Sequence, residues 1–329
     1  MIPDSSPAPP QQVVVLMPLR DDWDSARELI QRLDQAVANV CLIEVLLVDD
    51  GSLQQGNRDN FSSNYSAVQA IRILRLRRNL GHQRAISIGL AHIQKNVHCS
   101  AVLVMDSDGE DTAEGAVQLL RAYSEAHETK AIFAARSRRS ESFVFQCFYQ
   151  LYRLMHLVLT GIRVRVGNFS ILPPEYLNTL VAMPEMWNHY AAAVSRSGLP
   201  FVMIPISRGK RIAGTSRMNF TSLVAHGLSA ISVFGEIVGV RLLIGCAAGS
   251  LLAVLGIVLA ILIRFFTNQA IPGWTTYVTG TFVIIMIQFL TIATSFTFFT
   301  LSTRANLGFV PLRDYLLFVE EIVDIHSNE

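Results

Sequence analysis

Between Arg241 and Arg264 the chain carries no charged residue, and from Thr275 to Ser302 it again carries none. Each run exceeds the roughly 20 residues that cross the hydrocarbon of a bilayer. Nothing else in the sequence restricts the fold as tightly, because a charge-free apolar run of this length does not suit a core helix of a soluble domain. Trp274 and Tyr277 stand at one end of the second run and Arg304 just past the other, residue types that favour membrane interfaces. Two spans, 242–303, are therefore expected. Arg208, Lys210, Arg211, Arg217 and Arg241 precede them, and Arg304 and Arg313 follow. That bias predicts that both termini and the soluble body face the cytoplasm. Gly245 and Gly249 form a GxxxG pattern, a candidate face for helix packing or for association between copies.

The rest of the composition excludes several function classes. Hydrophobic residues make up 51% of 329 and collect after Arg241, while a formal net charge of +1 gives no reason to expect a nucleic-acid partner. The four cysteines, Cys41, Cys99, Cys147 and Cys246, show no CxxC pair and suit a reducing compartment. The eight histidines show no zinc-ligand spacing. Residues 1–12, rich in Pro and Ser, read as a disordered lead without the features of a signal peptide. Residues 218–241 are mostly apolar with interspersed polar residues and predict interfacial helices leading into the first span. Residues 304–329 are expected to form a cytoplasmic tail, with a short amphipathic helix over 314–325.

Residues 13–217 read as one α/β domain. Val13 to Met17 is a short apolar run ending at Pro18, followed by a capping box of Ser25 and Glu28 and a helical pattern through Leu29, Leu33 and Val37. Ile43–Val48, Ile71–Leu76, Ala101–Met105 and Ile132–Ala135 are further strand-like runs, and Gly81 to Ile93 reads as a helix. Strands alternating with helices predict a mostly parallel sheet with helices on both faces. Polar residues cluster after strand ends, at Asp21-Asp22, Asp49-Asp50-Gly51-Ser52 and Asp106-Ser107-Asp108. In open α/β sheets that edge takes the ligand. The chain has neither a GxGxxG after its first strand nor a GxxxxGK[ST], so dinucleotide-binding dehydrogenases and P-loop NTPases are poorly supported.

Asp106, Asp108, Glu110 and Asp111 place four carboxylates in six residues. A helix cap at Asp111 or Thr112 needs only one oxygen ligand. Four mutually repelling carboxylates suit a hard divalent cation, Mg²⁺ or Mn²⁺, which would neutralise a diphosphate leaving group.

The ordered series Pro18…Asp22, Asp49-Asp50-Gly51-Ser52, Arg78-Asn79-Leu80-Gly81 and Asp106-Ser107-Asp108 resembles family 2 glycosyltransferases. It is most similar to their polyprenyl-phosphate, dolichol-phosphate mannose synthase-like branch. The resemblance implies a GT-A-like catalytic domain, a nucleotide-sugar donor and a polyprenyl-phosphate acceptor of the undecaprenyl-phosphate kind, at a membrane like the bacterial inner membrane. It implies that Asp50 reads the nucleotide base, with Pro18, Asp22, Asn79, Gly81 and Asp106 also around the donor. Asp106, Asp108 and Glu110 would hold the metal. Asp108, Arg136 and Arg211 would act at the reacting groups, and Asn168, Ser216 and Arg217 would face the acceptor.

This chain departs from the family at three places. Arg20 and Asp21 stand where Tyr and Asn are usual, and Asn168 stands where Asp is frequent. An Asn is no general base, but a phosphate monoester with second pKa near ~6 brings its own nucleophile. The Gln-x-x-Arg-Trp box of processive relatives is absent around Trp187. The reading at this point is an inverting, metal-dependent glycosyltransferase acting on a lipid phosphate. A glycan or other non-lipid acceptor, and a catalytically silent scaffold, stay open as alternatives.

Overall fold

The computed structural model describes residues 12–327 except 55, 57–60, 62–63, 137–142, 162–166, 214–219, 268–270, 272 and 306–307. The chain divides into two units, one formed by Met1–Phe145, Val164–Val233 and Gly308–Glu329, the other by Gln146–Arg163 and Phe234–Leu307.

The first unit is built on a sheet in which β1 (Gln12–Leu19) lies centrally. The chain continues through α1 (Trp23–Val37), β2 (Leu42–Asp49), β3 (Val68–Leu76), α2 (His82–Asn96), β4 (Ala101–Val104), α3 (Ala113–Glu125) and β5 (Ala131–Arg136). α4 (Phe143–Thr160) follows, then β6 (Ser170–Leu172), α5 (Pro174–Leu180), α6 (Tyr190–Ser197), β7 (Phe201–Ile206) and α7 (Phe220–Ser232). A last strand, β8 (Val319–Ser327), completes an eight-stranded sheet of order β7-β5-β6-β4-β1-β2-β3-β8. β1 pairs in parallel with β2 and β4, and β2 with β3. β6 and β8 run antiparallel to their neighbours.

Both faces of β1 are buried, which is why its sequence is continuously apolar and does not alternate. Val13, Val15 and Met17 pack with Leu29, Ile30 and Leu33 of α1 and Leu119 and Leu120 of α3. Val14 and Leu16 pack on the opposite face with Ile86 and Leu90 of α2 and Leu177 and Tyr190. One buried charge ties these layers. Asp34 of α1 accepts the backbone N–H groups of Ser66, Ala67 and Val68 at 2.7–3.0 Å and so fixes where β3 begins.

Three expectations are corrected. The Ser25–Glu28 capping box does not form. Helix α1 already begins at Trp23, Ser25 donates to Asp22 Oδ1 at 2.7 Å, and Glu28 pairs with Arg32 one turn on. The expected helix over 314–325 is instead α10 (Pro311–Asp314), a 3-10 turn at Tyr315–Leu317 and then β8. Val323 and Ile325 pack on one core and Val319, past a register shift, on the other. Arg72 pairs with Asp324 at 3.0 Å and Arg75 with Glu321, so the acidic residues that suggested a solvated helix face are cross-strand partners. The residues 304–329 are thus no separate tail, because their strand belongs to the sheet.

The second unit holds α4 from Gln146 onward, α8 (Gly235–Phe266) and α9 (Trp274–Ala305). Both long helices are long and apolar enough to cross a membrane. α8 starts well before the expected boundary, which places Arg241 inside the helix. The third correction concerns the glycine pattern. A Cβ on Gly239, Gly249 or Gly256 would strike Phe296, Phe289 or Phe282 of α9, whereas one on Gly245 meets nothing within 4 Å. The phenylalanines recur every seven residues and sit on glycine notches; Gly245 takes no part.

Gly249→Leu is expected to lower the thermal midpoint of the detergent-solubilised protein, since overpacking costs about 1–3 kcal/mol. Gly245→Leu should leave that midpoint within error, and equal losses for both would contradict the packing described. Asp34→Ala leaves the buried Ala67 and Val68 N–H groups, and that of Ser66, without their acceptor, and a loss of about 1–3 kcal/mol in the unfolding free energy is expected by denaturant titration.

Candidate active site

Parallel pairing brings the carboxyl ends of β1, β2 and β4 to one edge. The ladder runs past the strand ends, Asp50 N donating to Leu19 O at 2.9 Å and Met105 N to Leu16 O at 3.1 Å. Asp49 ends β2, and the loops that follow the strands carry Asp21, Asp22, Asp50, Asp106 and Asp108 at that edge.

Each carboxylate there has a defined partner. Asp49 Oδ1 accepts Ser52 N at 2.9 Å, and Asp21 Oδ1 accepts Leu53 N at 2.6 Å. Asp50, 5% exposed, accepts Leu80 N at 2.6 Å with one oxygen and Gly81 N at 2.9 Å with the other. It thereby fixes the Asn79–Gly81 turn that opens α2. Burial pushes the Asp50 carboxyl above its ordinary range against the opposing pull of those two N–H groups, and Asp49 is raised by burial in the same way.

After β4 the chain turns back on itself. Asp106 N donates to Asp111 Oδ2, Glu110 N to Asp108 Oδ1, and Thr112 caps α3 by accepting Gly115 N at 3.0 Å. The segment 208–212 lies against this turn, with Gly209 N donating to Glu110 O and Ile212 N to Asp108 O, both at 2.9 Å. Gly109 adopts φ +84°, and a Cβ there would run into Ile212, so both its backbone and its neighbour demand glycine.

Cations stand among the carboxylates. Arg211 reaches Asp22 Oδ2 at 2.9 Å and Asp108 Oδ2 at 3.4 Å, joining the ends of β1 and β4. Arg208 pairs with Glu110. Burial and the neighbouring Asp106 raise the Asp108 carboxyl, with Arg211 and Arg208 pulling the other way. His82 Nε2 lies 3.1 Å from Asp106 Oδ1 and 3.0 Å from Asn168 Nδ2. Gln83 donates to Asn168 Oδ1 at 3.1 Å and accepts Tyr190 N at 2.7 Å. Ser170 Oγ lies 2.7 Å from the Tyr190 hydroxyl and donates to Asn168 O.

The structure brings together Asp22, Asp106, Asp108, Glu110 and Arg211, and beside them Asn168 through His82. Asp50 holds Gly81 at the same edge, and Asn79 is exposed there. Pro18 lies within β1 opposite Val48 and is buried. Arg136 ends β5, its side chain not described, and Ser216 and Arg217 lie outside the described residues. The expected trio of metal ligands is not assembled. Glu110 is turned to Arg208, and among the described residues no three His, Cys, Asp or Glu side chains are grouped to hold a metal ion. Asp106 and Asp108, 20% and 15% exposed at their side chains, present oxygen ligands that fit a hard cation completed by ligand oxygens and water. Sequence reasoning missed Gln83 as the link between Asn168 and α6, and Arg208 as the partner of Glu110. Neither carries a local signal, since both pairings join segments about a hundred residues apart.

Residues 14–181, just over half of the chain, match the family model described as glycosyl transferase family 2. An uncharacterized glycosyltransferase, YkcC, of Bacillus subtilis (strain 168) is 24% identical over 278 residues, 81% of this chain and 82% of the relative. Undecaprenyl-phosphate 4-deoxy-4-formamido-L-arabinose transferase of Klebsiella pneumoniae (strain 342) is 24% identical over 263 residues, covering 75% and 77%. Among solved structures, glucosyl-3-phosphoglycerate synthase from Mycobacterium tuberculosis with Mn²⁺, uridine-diphosphate-glucose and phosphoglyceric acid superposes with TM-score 0.50 at 13% identity, over 70% of this chain and 80% of that one. A mostly parallel sheet whose carboxylate-bearing edge falls largely within the matched span accords with these likenesses: the chain belongs to glycosyl transferase family 2.

Proposed function

We propose that the protein transfers a sugar from a nucleotide-sugar to a polyprenyl phosphate at the cytoplasmic face of a membrane, with inversion at the anomeric carbon. The observation that carries this reading is the meeting of Asp22, Asp106, Asp108 and Arg211 at one sheet edge in a chain with two membrane-length apolar helices. The Klebsiella relative's name, an undecaprenyl-phosphate sugar transferase, supports the acceptor class.

Asp106 and Asp108 would hold Mg²⁺ or Mn²⁺, which supplies charge neutralisation of the departing diphosphate. Asp50, by fixing the turn at Asn79–Gly81, shapes the donor side. Arg211, with donors fanned between two carboxylates, is placed to meet phosphate oxygens when the ligand reorganises those pairs. Asn168, whose amide oxygen is engaged by Gln83, takes no proton, so the acceptor phosphate itself is the nucleophile.

The flanking charges support the sidedness. The segments before α8 and after α9 belong to one sheet, so both lie on the same side of any bilayer the two helices cross. Arg208, Lys210, Arg211 and Arg313 are on those segments, the side that positive charge favours. The part up to Arg241 then corresponds to a catalytic body, 13–217, and an interfacial stretch, 218–241, which holds α7 and the start of α8.

Purified protein incubated with undecaprenyl phosphate, Mg²⁺ or Mn²⁺ and a panel of nucleotide-sugars should yield a sugar-phosphate-lipid by mass spectrometry of the lipid extract. Asp108→Asn should lower that yield by roughly 10²–10³-fold, the scale set by losing one electrostatic group at a developing charge. Unmodified lipid alongside sugar on an aqueous acceptor would replace the lipid with another acceptor. No binding of any nucleotide-sugar in calorimetry would favour a silent scaffold. Asp50→Ala releases the Leu80 and Gly81 N–H groups and is expected to raise the donor Kd about tenfold. An unchanged Kd would remove Asp50 from the donor site.

A further inference from the structure

We propose that Gln83 is a positioning residue that makes Asn168 a hydrogen-bond donor to a phosphate oxygen of the acceptor, so that the site recognises the acceptor by its phosphate. The inference rests on the reading that the acceptor is a polyprenyl phosphate.

An Asn side chain can present either its oxygen or its nitrogen, and at position 168 the choice is made at a distance. It starts at the N-terminus of α6, where the Tyr190 N–H is one of the groups a helix leaves without an intrahelical acceptor. A backbone N–H only donates, so the Gln83 atom 2.7 Å from it is the amide oxygen, Oε1. Gln83 therefore turns its Nε2 the other way and donates to Asn168 Oδ1 at 3.1 Å. With its oxygen taken, Asn168 presents Nδ2, which lies 3.0 Å from His82 Nε2. One backbone group thus fixes the polarity of the whole series, and Gln83, in the first turn of α2, transmits it.

The link is well held because its members are buried. Gln83 and Asn168 are each 9% exposed, and Tyr190 is fully buried. Burial pushes the pKa of the Tyr190 hydroxyl up, so it stays protonated. Ser170 Oγ gives its hydrogen to Asn168 O at 2.8 Å, which makes the Tyr190 hydroxyl the donor across its 2.7 Å contact with Ser170. Tyr190 therefore holds Asn168 twice, at the main chain through Ser170 and at the side chain through Gln83.

What Asn168 presents is an unfilled donor. An amide nitrogen carries two N–H groups, and among the described residues His82 Nε2 is the one partner of Asn168 Nδ2. A bare Nε2 accepts one of them; a protonated Nε2 accepts neither. In both cases at least one N–H of an amide nine-tenths buried has no acceptor, and such a group is costly to leave unmet. His82 Nε2 is in turn 3.1 Å from Asp106 Oδ1, so the donor stands beside a carboxylate proposed to hold the cation. A phosphate oxygen suits that place, because an ionised oxygen accepts strongly and is drawn to the same cation.

The test measures Kd by calorimetry on the detergent-solubilised full chain with Mn²⁺, using farnesyl phosphate and the best-bound of a panel of nucleoside diphosphates. Asn168→Ala should raise the farnesyl phosphate Kd about tenfold, the scale of one hydrogen bond to a charged group. The nucleoside diphosphate Kd should stay within about twofold. Gln83→Leu, which frees the amide to rotate, should raise the farnesyl phosphate Kd about threefold. In the Asn168→Ala background it should add nothing, because Gln83 acts only through Asn168. Gln83→Glu keeps both shape and an acceptor for Tyr190 N but turns an oxygen to Asn168, so the amide reverses. Its farnesyl phosphate Kd should rise at least as much as that of Asn168→Ala. An unchanged farnesyl phosphate Kd in Asn168→Ala would overturn the donor role, and a further loss on adding Gln83→Leu would overturn the role of Gln83. Weakening of the nucleoside diphosphate alone would assign the N–H to the sugar donor, and equal weakening of both ligands would mark a general effect of folding or charge; either result overturns the proposal. Wild-type protein that binds the nucleoside diphosphate but not farnesyl phosphate would overturn the acceptor reading itself.

Discussion

The loops of the catalytic edge are organised by charge repulsion. Parallel strands ending together deliver Asp21, Asp22, Asp49, Asp50, Asp106 and Asp108 to a few neighbouring loops, with Glu110 and Asp111 behind them. Carboxylates drawn together and partly buried resist ionisation, as the upward shifts of Asp49, Asp50 and Asp108 show. The fold answers in two ways. Carboxylates nearest the strands accept backbone N–H groups, and those farther out meet guanidinium groups from a segment that follows β7. The second answer leaves the site adaptable. Arg211 spans Asp22 and Asp108 at 2.9 and 3.4 Å, the longer contact being the weaker Coulombic pairing.

The other governing feature is that the first unit is discontinuous. Its sheet is not complete until β8, which arrives after both long helices. β3 would otherwise be an edge strand with a row of unpaired backbone groups. The strand that closes that edge follows α9 in the chain, so the sheet draws on sequence from both before α8 and after α9. An antiparallel strand also suits this place, since a strand added from outside the alternating βα series needs no crossover helix.

The central architecture was legible because local pattern and tertiary role agree there. Buried strands read as largely apolar runs, and those of β1, β2 and β4 are followed closely by Asp, so β1 to β5 fall within a few residues of expectation. β6 was missed because three residues carry no periodicity, and β7 because its exposed Val202 and Met203 hide the alternation. β8 was misread as a helix because Leu317, Val319, Ile322 and Val323 suit a helical stripe as well as a strand. Only the arginines of β3, some 250 residues away, decide between them. The glycine notches of α8 were half legible for a similar reason. GxxxG names a spacing, but which glycine faces α9 is set by Phe282, Phe289 and Phe296. At the site, the acidic motifs were visible and their partners were not. Glu110 resembles a ligand in sequence, whereas its orientation toward Arg208 is a fact of the fold.

Asn168 gains a physical reason from the same electrostatics. Its amide oxygen receives Gln83, which is itself fixed by Tyr190 N, and its amide nitrogen lies 3.0 Å from His82 Nε2. His82 is at the same time 3.1 Å from Asp106. A carboxylate at 168 would accept the Gln83 bond equally well, but it would add another negative charge one imidazole away from Asp106. In a buried, low-dielectric position that addition is costly. An amide keeps the link to α6 and withholds the charge. On the proposed reading nothing is lost chemically, because a phosphate acceptor arrives largely ionised, with a second pKa near ~6, and needs no base. A hydroxyl acceptor would need one, so the residue that relieves the crowded edge is also one that favours a phosphate nucleophile.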